Sequence, residues 1–223
     1  MTRSILLAAI LCACTTRQAE QPARPESVSQ ETPATGFDME LETLDGQIRT
    51  HQRRAGSYPT DWMVQATLAD LYMVRGRLTG SYSDYDQAQL HIDAAFEIAP
   101  DRSGPFLGRA GLHYTMHRLD ESEADLARFE QRIRITDSEG ARLALMRANI
   151  AAQRGDLDKA IAGAERALSL ENTPSGQTAL AMMLRSRGQW DAAEGMLDQA
   201  AAEYHGSAKE PLAWIMQIGR AHV

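Results

Sequence analysis

Two histidines, His113 and His117, are the side chains whose spacing best fits chemistry. Four residues apart on a helix, they would lie on one face, as two ligands of a zinc ion do. The glutamate that zinc proteases place between such histidines is missing, and the sequence shows no evident third ligand. His113 also falls in a column that holds core residues in the other units, so we predict a half-buried, hydrogen-bonded histidine there and no metal site, with a metal-binding protein as the alternative.

No other residue pattern points to catalysis. The chain lacks a glycine-rich phosphate loop and a nucleophile-elbow serine, and its two cysteines, Cys12 and Cys14, both lie close to the N-terminus. Acidic residues such as Glu121 and Glu123 are typical of a helix surface near its N-terminus. We predict a non-enzymatic protein without cofactors, so function must be sought on its binding surfaces.

The composition indicates which elements carry those surfaces. Of the 223 residues, 43% are hydrophobic but only 6% are aromatic, and valine occurs four times. Strands favour β-branched and aromatic residues, whereas alanine, abundant here, is the best helix former. The fold is therefore predicted to be all-α. The formal net charge of −7 argues against binding nucleic acid through its phosphates.

The N-terminus has the pattern of an export signal. Arg3 precedes a run of seven apolar residues that is too short to cross a bilayer. The following Leu11-Cys12-Ala13-Cys14 resembles the bacterial lipobox. This resemblance implies cleavage after residue 13, acylation of Cys14 and, because Thr15 rather than aspartate follows, an anchor in the outer membrane. An ordinary secretory signal is the alternative.

Residues 14 to 36 are predicted to form a disordered tether. The segment is polar, contains Pro22, Pro25 and Pro33, and has almost no large apolar side chain. Such a composition cannot bury enough surface to offset the entropy of the chain. Its role would be to hold the folded part away from the membrane.

A repeated segment marks the second half of the chain. Gly155-Asp156-Leu157-Asp158-Lys159-Ala160 and Gly188-Gln189-Trp190-Asp191-Ala192-Ala193 stand 33 residues apart. At this period the sequence resembles the tetratricopeptide repeat (TPR), a pair of antiparallel helices in about 34 residues. The resemblance covers residues 60 to 204. It implies an all-α, right-handed solenoid of about four helix pairs, predicted over residues 59 to 217.

Columns of equivalent residues align four units. The small residue at which the first helix of each unit crosses its neighbours is predicted at Ala69, Gly111, Ala148 and Ala181. The bulky position three later is Tyr72, Tyr114, Ala151 and Leu184. The glycine between the two helices is Gly76, then Arg118 as an exception, then Gly155 and Gly188. The small residue that opens the second helix is Ala88, Ala124, Ala160 and Ala193.

The two ends of the solenoid receive separate predictions. Leu41, Leu44 and Ile48 recur at helical spacing and predict a helix over residues 38 to 55, inside a capping segment of residues 37 to 58. Residues 218 to 223 resemble the translation of a common short-read sequencing adapter. We therefore expect a non-native tail and a natural gene that continues beyond Gln217, with a genuine terminus as the alternative.

The first helices carry the candidate binding site. In TPR arrays they line a concave groove that contacts peptides or proteins, and the resemblance implies the same here. Mapping by column places the groove at Asp70, Met73, Arg109, Leu112, Asn149, Gln153, Met182 and Arg185. The alternative is an ordinary solvated face.

Seven extra residues in the first unit, centred on Thr79 to Tyr85, form a second candidate site. Insertions in a solenoid map to loops, which are often functional. Tyr82, Asp84 and Tyr85 would offer aromatic contact area beside hydrogen-bond acceptors, as a recognition loop does. Alternatively, the segment lengthens the two helices or packs Tyr85 into their junction.

These features together predict a TPR adaptor lipoprotein of the bacterial envelope. It would be lipid-anchored to the outer membrane, face the periplasm and bind a protein or peptide partner. In layout it resembles the pilotin lipoproteins of type IV pili and the TPR lipoproteins that serve barrel assembly or periplasmic proteases, and no motif selects among them. The rival hypothesis is a docking module for an envelope enzyme or sensor whose catalytic domain lies beyond the C-terminus.

Overall fold

The computed structural model describes residues 35–132 and 134–205, and over these ranges it contains nine helices and no strand. The side chains of residues 35 to 37 are not described. The predicted signal peptide, lipidated Cys14, most of the tether and the predicted C-terminal tail lie outside the described residues. Among the described helices, none combines the length and apolar character that a membrane span requires.

A single helix, α1 (Thr35–Ser57), precedes four helical hairpins. The hairpins are α2 (Trp62–Thr79) with α3 (Tyr82–Ile98), α4 (Phe106–Thr115) with α5 (Leu119–Glu130), α6 (Asp137–Gln153) with α7 (Leu157–Leu170), and α8 (Pro174–Ser186) with α9 (Trp190–Glu203). The first helices of successive hairpins also contact one another. The predicted all-α solenoid with an N-terminal capping helix is confirmed.

Three apolar clusters follow one another along the stack. The first joins α1 to α2, α3 and α4 and includes Leu44 and Ile48, the predicted apolar residues of the capping helix. The second joins α4, α5 and α6 around Leu126 and Phe129. The third joins α6 to α9 around Leu197. Each cluster therefore holds neighbouring units together, as expected of a solenoid.

Small side chains allow the helices to approach closely. In the first helices Ala69, Ala110, Ala148 and Ala181 are each 1% exposed or less. In the second helices Ala88, Ser122, Ala160 and Ala193 are equally buried. The crossing of α6 and α7 is one close case, because a Cβ atom added to Gly163 would lie 3.0 Å from the Cβ of Ala148. Larger side chains there would force the helices apart.

The turns in the last two hairpins have closely similar backbone geometry. Gly155 and Gly188 adopt left-handed conformations, with φ of 83° and 82°. The following residue donates its N–H to a carbonyl five positions earlier, from Asp156 to Ala151 and from Gln189 to Leu184, at 2.9 Å in both. Glycine suits this position because it has no Cβ to clash at positive φ.

The second hairpin makes the same turn with His117 in place of glycine. His117 has φ of 57°, and Arg118 donates its N–H to the carbonyl of His113 at 2.8 Å. The predicted alignment of this unit was therefore wrong by one residue in its first helix and turn, and by two in its second helix. The residues predicted for its four columns were Gly111, Tyr114, Arg118 and Ala124, whereas the structure places Ala110, His113, His117 and Ser122 there.

The extra residues of the first hairpin do not form the predicted loop, because all of them except Gly80 and Ser81 belong to α2 or α3. The helix α2 continues through Gly76, predicted as the inter-helix glycine, to Thr79, and the turn uses Gly80 with φ of 71°. The residues that would have formed a loop extend both helices. Tyr85 packs its ring against Gly76, whose added Cβ would lie 3.0 Å from the Tyr85 Cζ. This matches the alternative interpretation of the segment.

Ion pairs repeat between successive units. Arg154, at the end of α6, pairs with Asp120 at the start of α5, and Arg187, at the end of α8, pairs with Asp158 at the start of α7. Both arginines precede the left-handed glycine, and both aspartates follow the left-handed residue of the previous unit by three positions. All four side chains are well exposed, so each pair adds at most about 1 kcal/mol.

Candidate partner-binding site

Two of the eight predicted groove residues belong to the core. Met73 is 8% exposed and Leu112 is 2% exposed. Above Gly111 the space is already filled, because an added Cβ would lie 3.3 Å from the Met73 Cε and 3.6 Å from the Met146 Cε. Methionine side chains thus close the first-helix face between α2, α4 and α6, and the prediction of an open groove there was wrong.

Arg109 is a structural residue as well. Its guanidinium donates two hydrogen bonds to Asp125 of α5, from Nε to Oδ2 at 2.9 Å and from Nη2 to Oδ1 at 2.7 Å. Its Cζ lies 3.9 Å from the centre of the Phe96 ring, and Asp125 is only 4% exposed. The guanidinium thus uses both its N–H groups and its flat face inside the protein. The assignment of Arg109 to the groove depended on the predicted alignment of this unit, which was off by one residue in the first helix.

The two histidines do not converge. His113 is largely buried, with Nδ1 3.3 Å from the Oδ2 of Asp125. The helix α4 ends at Thr115, so His117 lies in the turn beyond it and is exposed. Helical spacing therefore does not apply to the pair. Across the ranges that the structure describes, no group of three or more His, Cys, Asp or Glu side chains is arranged to hold a metal ion.

Asp70 stands on the exposed side of α2, with Oδ1 close to Gly108 of α4. Desolvation against α4 raises the pKa of Asp70 above its ordinary value, and the charges of Arg142 and Arg77 oppose this increase in part. Helix α2 contributes no lining residue to the open part of the first-helix face, which lies between α4, α6 and α8. It is therefore not grouped with the remaining predicted residues.

Of the predicted recognition residues in the first hairpin, one is available to a partner. Tyr82 is 80% exposed at the start of α3. Asp84 is 3% exposed and accepts a hydrogen bond of 2.9 Å from Arg75, which also pairs with Asp45 of α1. Asp84 thus links α2 and α3 through Arg75, and Tyr85 is half-buried.

An open cleft of about 490 Å³ lies on the first-helix face between α4, α6 and α8. Its lining residues are Tyr114, Asn149, Ala152, Gln153, Leu157, Ser175, Thr178, Ala179, Met182, Met183 and Ser186. We call this the first cleft. It brings together three of the eight predicted groove residues, namely Asn149, Gln153 and Met182.

Arg185 stands beside the first cleft and has no acidic partner among the residues that the structure describes. Its Nη1 lies 3.9 Å from the Met182 sulfur, and its Cζ lies 5.9 Å from the ring centre of Trp190, which is 49% exposed. It forms no ion pair with any side chain that the structure describes. A free cation therefore sits at the edge of the cleft, next to exposed aromatic and thioether surface.

The first cleft combines apolar walls with a few amide and hydroxyl groups. The walls include Tyr114, Leu157 and Met182, and the small side chains of Ala152 and Ala179 leave the space open. Carboxamides such as Asn149 can both donate and accept hydrogen bonds, which suits the backbone of a peptide. This arrangement can hold one or two apolar side chains of a peptide and fix their orientation.

Sequence analysis missed Tyr114 and Ala152 in the cleft, although a signal for them was present. With His117 aligned to Gly155, Tyr114 falls in the same column as Ala152, four residues after the buried alanine of each first helix. The error of one residue in the second unit had assigned Tyr114 to the bulky packing position instead.

Comparison with known proteins supports the fold. No protein-family model matches the sequence, and no curated protein matches it either. Among solved structures, the TPR protein TTC0263 of Thermus thermophilus superposes with a TM-score of 0.56 at 21% identity, covering 82% of this chain and 91% of that one. PilF of Pseudomonas aeruginosa superposes with a TM-score of 0.55 at 17% identity, covering 83% and 87%. The fold is that of tetratricopeptide-repeat proteins.

Proposed function

We propose that this chain is a non-enzymatic interaction scaffold that binds a peptide segment of a partner protein in the first cleft. The observation that carries the proposal is the cleft itself, which is open and apolar while the rest of the first-helix face toward α2 is filled by Met73 and Met146. A pocket of this kind exposes apolar surface to water, and a bound partner would bury that surface.

The bound segment would present an apolar side chain to Met182 and an acidic group to Arg185. Arg185 can hold a carboxylate with two hydrogen bonds because its guanidinium has no competing acid within reach among the described residues. The carboxamides of Asn149 and Gln153 would bind the peptide backbone.

Site-specific photo-crosslinking in cells tests this binding mode. A photoreactive residue at Ala179, inside the cleft, should capture a defined partner, whereas one at Ala127, exposed on α5, should not. Met182→Glu and Arg185→Glu should each reduce the yield several-fold, because both side chains are accessible and their replacement leaves the core intact. Equal capture from both positions, or capture that neither substitution weakens, would contradict the proposal.

We further propose that the scaffold is tethered by lipid at Cys14 to the outer membrane and works in the periplasm. Support comes from the lipobox-like Leu11-Cys12-Ala13-Cys14 and from the polar segment that follows it. Stable anchoring requires more than one acyl chain, which a bacterial lipoprotein cysteine provides. Cys14→Ser should move the protein from the membrane fraction to the soluble fraction and abolish labelling by a palmitate analogue. Retention of that variant in the membrane fraction would refute the anchor.

A further inference from the structure

A second cleft, of about 810 Å³, opens where α5, α6 and α7 meet. Its floor and walls are apolar, with Leu143 and Ala144 from α6, Ala162 and Leu170 from α7, and Ile135 from the α5–α6 connection. It shares no lining residue with the first cleft. We call it the second cleft.

The second cleft is positively charged in a chain whose formal net charge is −7. Three cations and one carboxylate line it. The carboxylate, Glu130, is paired with Arg147, from whose Nη2 it accepts a hydrogen bond of 2.8 Å. Lys159 and Arg166 form no ion pair with any residue in the described part of the chain. Two free cations therefore flank an apolar cleft, an arrangement complementary to a segment that carries acidic residues beside apolar ones.

The spacing of these cations indicates whether the bound segment is helical or extended. Lys159 and Arg166 are seven residues apart on α7, which is about 10.5 Å along the helix axis and places both on one face. Acidic residues seven apart on a helix lying along α7 match this distance. In an extended segment about 10 Å corresponds to three residues, whose side chains point to opposite faces. The geometry therefore favours a helix.

We propose that the second cleft binds an amphipathic helix of a partner protein, with acidic residues seven positions apart at the border of its apolar stripe. The apolar stripe packs against Leu143, Ala144 and Leu170, and the acidic residues pair with Lys159 and Arg166. This proposal is independent of the first cleft, so the scaffold would hold two different partner segments, one in each cleft.

A designed peptide tests the proposal directly. The probe is a fluorescently labelled, helix-forming peptide of about 18 residues, with leucines along one face and two glutamates seven apart beside them. A matched control peptide has the same composition but carries its glutamates on the opposite face. Fluorescence anisotropy with the full chain should show binding of the probe, at least about tenfold weaker binding of the control, and weaker binding of both as salt is raised.

Charge reversal identifies the site. Lys159→Glu combined with Arg166→Glu should weaken probe binding by at least about tenfold, because like charges would then face each other. Arg128→Glu, a charge reversal at an exposed position of α5, should leave it unchanged within about twofold. Circular dichroism of each variant establishes that the helices persist. Failure of the probe to bind, equal binding of the two peptides, or binding by the folded double variant would each overturn the proposal.

Discussion

The buried carboxylate of Asp125 gives Arg109 a structural role that the residue type alone does not reveal. It is 4% exposed, accepts both hydrogen bonds from Arg109, and lies beside His113. Removing one partner of such a pair leaves an uncompensated buried charge, a loss of about 3–5 kcal/mol. Arg109 therefore serves stability, and a charge reversal there would report unfolding instead of lost partner binding.

The contacts of the His91 side chain with Tyr72 and Gln65 depend on pH. Its ring stacks on Tyr72 with centroids 5.5 Å apart, and its Nδ1 lies 2.7 Å from the Oε1 of Gln65. The amide oxygen can only accept, so Nδ1 donates and Nε2 carries no proton in the neutral ring. Burial lowers the pKa of His91 below its ordinary value, because the protonated ring would lose hydration.

We predict that this histidine makes the fold less stable as the pH falls. The unfolded chain takes up the proton near pH 6.5, whereas the folded chain takes it up at lower pH. The stabilising contribution of the neutral ring is therefore complete above about pH 6.5 and decreases as the pH falls toward the folded-state pKa. Urea denaturation at about pH 7.5 and about pH 5.5 should show a smaller loss of stability in His91→Gln than in the wild type. An equal loss in both proteins would contradict the prediction.

At the scale of elements, the turn between α4 and α5 has the same hydrogen bond as the turns of the next two hairpins but lacks their glycine. His117 occupies at φ 57° the position that Gly155 and Gly188 occupy in the next two units. A side chain in the left-handed region costs about 1 kcal/mol or more relative to glycine. Arg118, the next residue, has φ of −91° and needs no glycine.

His117→Gly should therefore stabilise the protein by about 1 kcal/mol, which raises the Tm by about 2–4 °C for a domain of this size. The matched control is Arg118→Gly, which should lower the Tm, because glycine adds flexibility to the unfolded chain without relieving strain. Thermal unfolding followed by circular dichroism distinguishes the two. Stabilisation by the Arg118 variant instead would mean that the turn has the register that the sequence pattern first indicated.

In the second to fourth units, whether a glycine marks the turn decided whether the sequence predicted the helices and site residues of that unit correctly. The third and fourth units were aligned correctly because glycine marks each turn, at Gly155 and Gly188. In the second unit no glycine marks the turn, and Gly111 next to Ala110 offered a false small residue. In the first unit, seven inserted residues can form either a loop or extra helical turns. The sequence around Gly80 does not distinguish these two structures. Three of the eight groove residues line the first cleft, whereas Met73 and Leu112 are buried by packing between helices that the sequence alone does not show.

At the scale of the whole molecule, the three core clusters determine how far along the chain a destabilising substitution acts. A solenoid has contacts only between neighbouring units, so its stability is close to a sum of local terms. The cluster of α1 to α4 shares no residue with the cluster of α6 to α9. A defect in the crossing of α6 and α7 should therefore loosen the last two hairpins and leave the first one protected.

Gly163→Val tests this locality. Any side chain at Gly163 meets the Cβ of Ala148 at 3.0 Å and its Cα at 3.3 Å, so α6 and α7 must separate, at a cost of about 1–3 kcal/mol. Gly195→Val is the control, because a Cβ there has no heavy atom within 4 Å. Hydrogen exchange should quicken in residues 141–200 of the first variant, while residues 64–95 keep their protection. Uniform loss of protection along the chain would instead show that the stack unfolds as one cooperative unit.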